Sequence, residues 1–177
     1  AVIGRAVYRK GYDFLIDTIK TIPREYDFLI KIYGTGKETK KIKKIIESNE
    51  MLRKRFIFAG EKTRDEIMKE YEAIDVLIMP SLRETTGTVI LEAISKGVPV
   101  ITINKFGAKN ILDKNNSYLY DGINYNEIVH NFRRQIINCI ENREELRRKS
   151  LLCSEKAKEF IWEKKVLKYT KIYKEQE

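Results

Sequence analysis

Five short apolar runs recur along the chain, at 1–3, 28–33, 56–59, 76–79 and 98–103. They are rich in β-branched and aromatic residues and show little polar alternation, the pattern of strands buried on both faces of a parallel sheet. A sixth, Tyr118-Leu119-Tyr120, precedes the Asp121-Gly122 turn. Between the runs, apolar residues return every three or four positions. Tyr12, Leu15, Ile16 and Ile19 mark a helix that stops before Pro23. Ile42, Ile45 and Ile46 form the buried face of a lysine-rich helix over 37–48. Thr63-Arg64-Asp65-Glu66 is a capping box opening a helix that runs to about Ala73. A helix over 89–96 is closed by Gly97 and Pro99. From Tyr125 onward the pattern is helical. Asn126 caps a segment carrying Phe132, Ile136 and Ile140, a second helix spans 144–158, and a last one starts at Phe160. Alternating strands and helices with right-handed crossovers predict an α/β fold: a Rossmann-like doubly wound parallel sheet with C-terminal helices, in one domain over 1–177.

Such sheets bind ligands beyond the carboxyl ends of their strands. After the fourth strand the chain reads Pro80-Ser81-Leu82-Arg83-Glu84-Thr85-Thr86-Gly87-Thr88-Val89 and enters a helix. Thr86, Gly87 and Thr88 place small residues and backbone N–H groups at a helix N-terminus, which suits a phosphate. Glu84 and Glu92 flank this point with seven residues between them. Carboxylates do not help a phosphate; they accept hydrogen bonds from hydroxyls, which a sugar and a ribose supply. After the first strand, Gly4-Arg5 and Lys10-Gly11 make a basic, glycine-bearing loop. Arg5 and Lys10 can converge on phosphate oxygens, with Arg9 a substitute. Gly34-Thr35-Gly36 ends the second strand. It is not a dinucleotide fingerprint, because Thr39 holds the third glycine position and no acidic residue ends the next strand. It reads as a site of close backbone approach. Gly60-Glu61-Lys62 closes the third strand. His130 is the one histidine, on a polar helix face that reads as surface.

The Glu84–Glu92 pair around Leu91-Glu92-Ala93, followed by Val98-Pro99-Val100-Ile101, resembles the retaining GT-B glycosyltransferases, in particular family 4, the glycosyl transferases group 1. The resemblance is to their C-terminal, nucleotide-sugar-binding domain and covers nearly the whole chain. It implies that Arg5 and Lys10 bind the donor diphosphate and that Gly34 lies beside the donor. The backbone at Gly60 and Glu61 would read the base edge. Glu84, Thr86, Gly87, Thr88, Val89 and Glu92 would line the donor site, with Glu84 on the sugar and Glu92 on the ribose. The catalytic set is then Glu84, Lys10 and Arg5. The segment 160–177 would pack toward an N-terminal acceptor domain that this chain does not contain. One loop departs from the family: where two glycines and then a glutamate are usual, this chain has Phe106-Gly107 and then Asn110.

Composition narrows the class. At 177 residues, 42% hydrophobic and 34% charged, the chain supports one soluble domain with a core. No apolar run approaches the ~20 residues that span a bilayer, and no signal peptide is visible. The chain opens almost directly on a strand, which reads as a domain excised from a longer protein. Cys139 and Cys153 lack metal-ligand spacing and read as reduced thiols. The +9 net charge comes from lysines interleaved with glutamates, a solvated face first and a membrane-facing one second; no nucleic-acid motif accompanies it. The expectation is a cytoplasmic hexosyltransferase-type donor domain, with peripheral association at the inner membrane face as an addition, inactive when isolated. Its substrate would be a nucleotide diphosphate sugar, UDP-linked first and GDP-mannose next, with no metal and no cofactor. The acceptor would be a saccharide or lipid-linked molecule in surface polysaccharide, lipopolysaccharide or O-antigen assembly. The alternatives are another GT-B enzyme such as a sugar-nucleotide epimerase or glycogen synthase, a dinucleotide-dependent dehydrogenase, and a non-catalytic basic module.

Overall fold

A computed structural model of the protein describes residues 1–81, 87–161 and 166. Six strands alternate with helices: β1 (Val2–Ile3), α1 (Tyr12–Thr21), β2 (Ile30–Tyr33), α2 (Thr39–Glu47), α3 (Glu50–Arg55), β3 (Phe56–Gly60), α4 (Arg64–Glu70), β4 (Leu77–Met79), α5 (Thr88–Ser95), β5 (Val100–Ile103), α6 (Phe106–Ile111), β6 (Tyr118–Tyr120), α7 (Tyr125–Glu141) and α8 (Arg143–Ala157).

Two parallel ladders form, in the orders β1-β2-β3 and β4-β5-β6. They meet at Ala1. Its nitrogen donates to the Val76 carbonyl at 2.7 Å, and the Ile78 N–H donates to the Ala1 carbonyl at 2.6 Å. That stagger is a parallel pairing, so β1 and β4 are neighbours and the combined order is 3-2-1-4-5-6. Both faces are covered. Val2, Leu15, Ile19, Ile32, Ile101 and Phe132 belong to one buried cluster, under α1, α2, α3 and α7. Ile67, Leu77, Ile90, Ile94, Val100 and Ile111 belong to the other, under α4, α5, α6 and α8. In β5, Val100 and Ile101 fall in opposite clusters, as the two-residue period of a strand requires. The doubly wound parallel sheet is borne out.

Several local expectations are corrected. A six-residue helix, α3, precedes β3 where none was expected; Asn49 caps it by accepting from the Leu52 N–H at 3.1 Å, and it is too short for a periodic signature. Asn124, not Asn126, caps α7, accepting from the Glu127 N–H at 3.0 Å. The loop expected around Phe106-Gly107 and Asn110 is instead helix α6, Phe106–Ile111. Helix α5 starts at Thr88, one residue before the expected Val89. The capping box at Thr63 and Glu66 is present, and both cysteines are free and buried. The expected helix over 160–177 lies outside the described residues beyond Ile161, apart from Val166.

One buried cation fixes α1. The Arg55 side chain lies under the end of this helix and donates to the carbonyls of Ile19 (3.3 Å), Ile22 (2.9 Å), Pro23 (2.5 Å) and Tyr26 (3.1 Å). Its guanidinium stacks over Phe28 at 4.6 Å. Helix C-termini leave carbonyls without intrahelical donors, and a planar five-donor group satisfies several at once.

Candidate functional site

With strand order 3-2-1-4-5-6, the connections after β1 and β4 leave in opposite directions, and a crevice opens between them at the carboxyl ends. On one side lies the loop from Gly4 to Gly11. Gly11 has φ +69° and begins α1. A methyl group added to it would lie 2.1 Å from the Pro80 carbonyl oxygen. The N-terminus of α1 is therefore seated against the start of the β4–α5 connection, and only glycine permits both the conformation and the contact. The Lys10 side chain lies across Gly4, its Cε 3.7 Å from where a Gly4 Cβ would stand. Lys10, Tyr12, Pro80 and Ser81 line a small cavity beneath. The Tyr12 hydroxyl is buried with no hydrogen-bond partner among the described residues, and burial pushes its pKa up to about 12. Arg5 is exposed.

The turns after β2 and β3 form the adjoining wall. A methyl on Gly34 would meet the Gly4 carbonyl oxygen at 2.4 Å, and one on Gly36 would meet that of Ala6 at 2.4 Å. The close approach read from Gly34-Thr35-Gly36 is borne out. The Gly4 N–H donates to Tyr33 O, Ala6 N–H to Thr35 O, and Gly34 N–H to Gly60 O, at 2.9, 2.9 and 2.7 Å. The loops thus prolong the ladder beyond the strands. They enclose an open cavity of about 250 Å³ lined by Arg5, Gly34, Thr35, Glu61 and Lys62 among others. The Thr35 hydroxyl donates to the Glu61 carboxylate. Behind it, Glu70 accepts from Lys62 Nζ at 2.7 Å and from the Tyr33 hydroxyl at 2.5 Å. The bonds from Lys62 and then Tyr33 hold the Glu70 carboxyl below its usual range, and the same contact raises Lys62.

Across the crevice, Gly87 opens α5 with φ +55°. It has no side chain to cap the helix, and the first N–H groups of α5 lie at the positive end of its dipole. Thr88 is exposed; the Val89 carbonyl accepts from the Tyr71 hydroxyl at 3.3 Å. Glu92, one turn on, has a side chain 20% exposed. It pairs at 3.5 Å with Arg64, whose side chain is 80% exposed. Burial and then the Glu92 charge push the Tyr71 phenol up.

The structure therefore gathers Arg5, Gly34, Gly60 and Glu61 along one wall, sets Lys10 between that wall and Pro80, and places Gly87, Thr88, Val89 and Glu92 on the facing helix. Glu84 and Thr86 lie outside the described residues. Sequence reading missed the Tyr33–Glu70–Lys62 cluster, because its members come from β2, α4 and the β3 turn and share no spacing. No group of three or more His, Cys, Asp or Glu side chains among the described residues is placed to hold a metal ion. No helix among them is long and apolar enough to cross a membrane.

This geometry suits an anion held by cations and helix N-termini, next to carboxylates that accept from hydroxyls. The sequence profile of the glycosyl transferases group 1 matches residues 1–158. The chain belongs to that family. An uncharacterized glycosyltransferase of Methanocaldococcus jannaschii is 32% identical over 174 residues, 98% of this chain and 47% of its own length. The lipopolysaccharide glucosyltransferase WaaG of Escherichia coli is 31% identical over 116 residues, 64% of this chain and 30% of its own. The crystal structure of the pneumococcal O-GlcNAc transferase GtfA in complex with UDP and GlcNAc superposes with a TM-score of 0.80 at 21% identity, over 98% of this chain and 35% of that one. The Rossmann-like fold of this chain is shared with part of that GT-B glycosyltransferase. The chain spans about half, or less, of the length of these relatives.

Proposed function

We propose that this chain is the donor-binding half of a retaining, metal-independent glycosyltransferase. The observation that carries the reading is the convergence at the β1/β4 switch point of Arg5 and Lys10, the cavity at Gly34 and Glu61, and the N-terminus of α5 at Gly87. Lys10, Arg5 and the α5 N–H groups hold the diphosphate of a nucleotide sugar and stabilise the charge that develops on it as the glycosidic bond breaks. Glu84 orients the sugar hydroxyls, Glu92 accepts from the ribose, and the backbone at Gly60 and Glu61 meets the base. UDP is the first nucleotide to test, supported by its presence in the GtfA complex, and GDP-mannose the next. An N-terminal domain binds the saccharide or lipid-linked acceptor, so this piece alone turns over little. A role in surface polysaccharide assembly is supported by the likeness to a lipopolysaccharide glucosyltransferase; a cytoplasmic location with peripheral membrane association belongs to the same proposal.

The test is calorimetric titration of the full-length protein with UDP, GDP and their sugar conjugates, in chelator, repeated on Lys10→Ala and Glu84→Ala. One nucleotide is expected to bind without metal; Lys10→Ala weakens it about tenfold or more, whereas Glu84→Ala weakens only the conjugate. A protein that binds no nucleotide, or binds one equally well in both variants, refutes the assignment.

A further inference from the structure

Among the described residues that are not glycine, Phe106 alone has a positive φ, +55°. In this region Cβ crowds the following carbonyl, so residues other than glycine, asparagine and aspartate avoid it. The conformation is imposed from both sides. The Asn104 N–H donates to Tyr120 O and the Lys105 N–H to Ile103 O, each at 2.8 Å, and Lys105 Nζ donates to Gly122 O at 3.2 Å. Beyond it, Ala108 and Ile111 are buried. Strain of this kind persists only where the surroundings over-determine the backbone. Glycine or asparagine would meet that backbone more easily. Nor is phenylalanine demanded by full burial, since the residue is 50% exposed.

Its position suggests what does. Phe106 follows β5 and starts α6 at the carboxyl rim of the sheet. At the other end of α6, Ile111 Cδ1 lies 3.4 Å from where a Gly87 Cβ would stand. Five residues of helix place Phe106 roughly 8 Å along the axis from that contact, on the rim where α5 opens. We infer that Phe106 is a specificity-determining platform on which a hexopyranose ring of the substrate rests. The electron-rich face of the ring attracts the weakly positive C–H face of a sugar. This inference rests on the donor-domain reading above, and the sugar belongs to the donor or to the acceptor.

The experiment titrates the full-length protein with UDP, GDP, UDP-glucose and GDP-mannose, and with methyl glucoside in the presence of the nucleotide that binds. Wild type, Phe106→Gly and Phe106→Tyr are compared, with melting temperatures alongside. Phe106→Gly is expected to relieve the backbone and melt roughly 2–4 °C higher. It is expected to bind the sugar conjugate about three- to tenfold more weakly and the bare nucleotide within twofold, whereas Phe106→Tyr retains both. Loss of methyl glucoside binding with the conjugate unchanged assigns the platform to the acceptor sugar. A Phe106→Gly protein that melts higher yet keeps all sugar affinities overturns the inference alone. A wild-type protein that binds none of the nucleotides overturns the donor reading, and this inference with it.

Discussion

Gly11→Ala probes whether the α1–Pro80 contact sets the geometry of the crevice. The added methyl would stand 2.1 Å from Pro80 O and 2.9 Å from Pro80 C. Carbon contacts are comfortable at about 3.5–4.0 Å, so α1 and the β4–α5 connection must separate by roughly 1 Å. The left-handed backbone at +69° adds about 1–2 kcal/mol for a residue with a Cβ, and forced overpacking adds about 1–3 kcal/mol. Together these cost roughly 2–5 kcal/mol, which for a domain of this size lowers the melting temperature by roughly 4–20 °C. Gly60 supplies the control: its φ is +75° but nothing lies within 4 Å of an added methyl, so Gly60→Ala should show the strain alone, about 1–2 kcal/mol. Because Lys10 adjoins Gly11, the shift carries its ammonium away from its place. A 1 Å misplacement can cost about 10²-fold in turnover, and nucleotide affinity should fall with it. Calorimetry and nucleotide titration of the full-length protein measure both quantities. If Gly11→Ala melts within about 1 °C of Gly60→Ala, the contact is not tight. If it melts low yet binds nucleotide like the wild type, the contact is structural and does not position the anion site.

Three further outcomes are expected. Arg55→Met removes the donors to four carbonyls and leaves those of Ile22 and Tyr26 without a partner among the described bonds; at about 1–3 kcal/mol for each orphaned group, urea denaturation should show a loss of roughly 3 kcal/mol, and Arg55→Lys, which cannot fork, should recover only part of it. Burial pushes both Cys139 and Cys153 up to about 12, so at pH 8 the thiolate fraction is on the order of 10⁻⁴; Ellman's reagent should label neither in the native protein and both after unfolding. The Glu70 carboxyl is depressed below its ordinary 4.5 by Lys62 and Tyr33, so its contribution is present above that value and lost as pH falls through the folded value; Glu70→Gln should flatten the acid limb of stability below pH 4.5, and an unchanged limb would show that the cluster does not couple to folding.

The fold was legible because its signals are local and repeated. Runs such as 76–79 and 98–103 are too apolar to face water on either side, and Tyr12, Leu15, Ile16 and Ile19 can align only on a helix. The glycines were legible as constraints but not as contacts. Gly34-Thr35-Gly36 announces a close approach, yet its partners, the carbonyls of Gly4 and Ala6, lie some thirty residues away. In the sequence Gly11 belongs to a basic loop, and nothing in its neighbours announces Pro80. The Tyr33–Glu70–Lys62 cluster was illegible for the same reason. Helix α6 was missed because Phe106 enters it at a φ that phenylalanine seldom adopts, so local propensity argues against the structure that tertiary bonds impose.

The two sides of the crevice are prepared differently, and that separates the candidate residues by what they can still do. On the β1–β2–β3 side the loops are bonded backbone to backbone, and Glu61 already accepts from Thr35. A ligand there would meet a wall whose shape is set before it arrives, with the Glu61 carboxylate already engaged. On the α5 side, Gly87 offers no side chain to cap the helix N-terminus, and among the described residues Glu92 pairs with an Arg64 that is mostly in solvent. Such a pair contributes about 0–1 kcal/mol, so a hydroxyl can displace it at little cost. Fixed backbone on one wall and exchangeable polar groups on the other are what a site needs if it is to hold one part of a ligand still while exchanging hydrogen bonds with the rest.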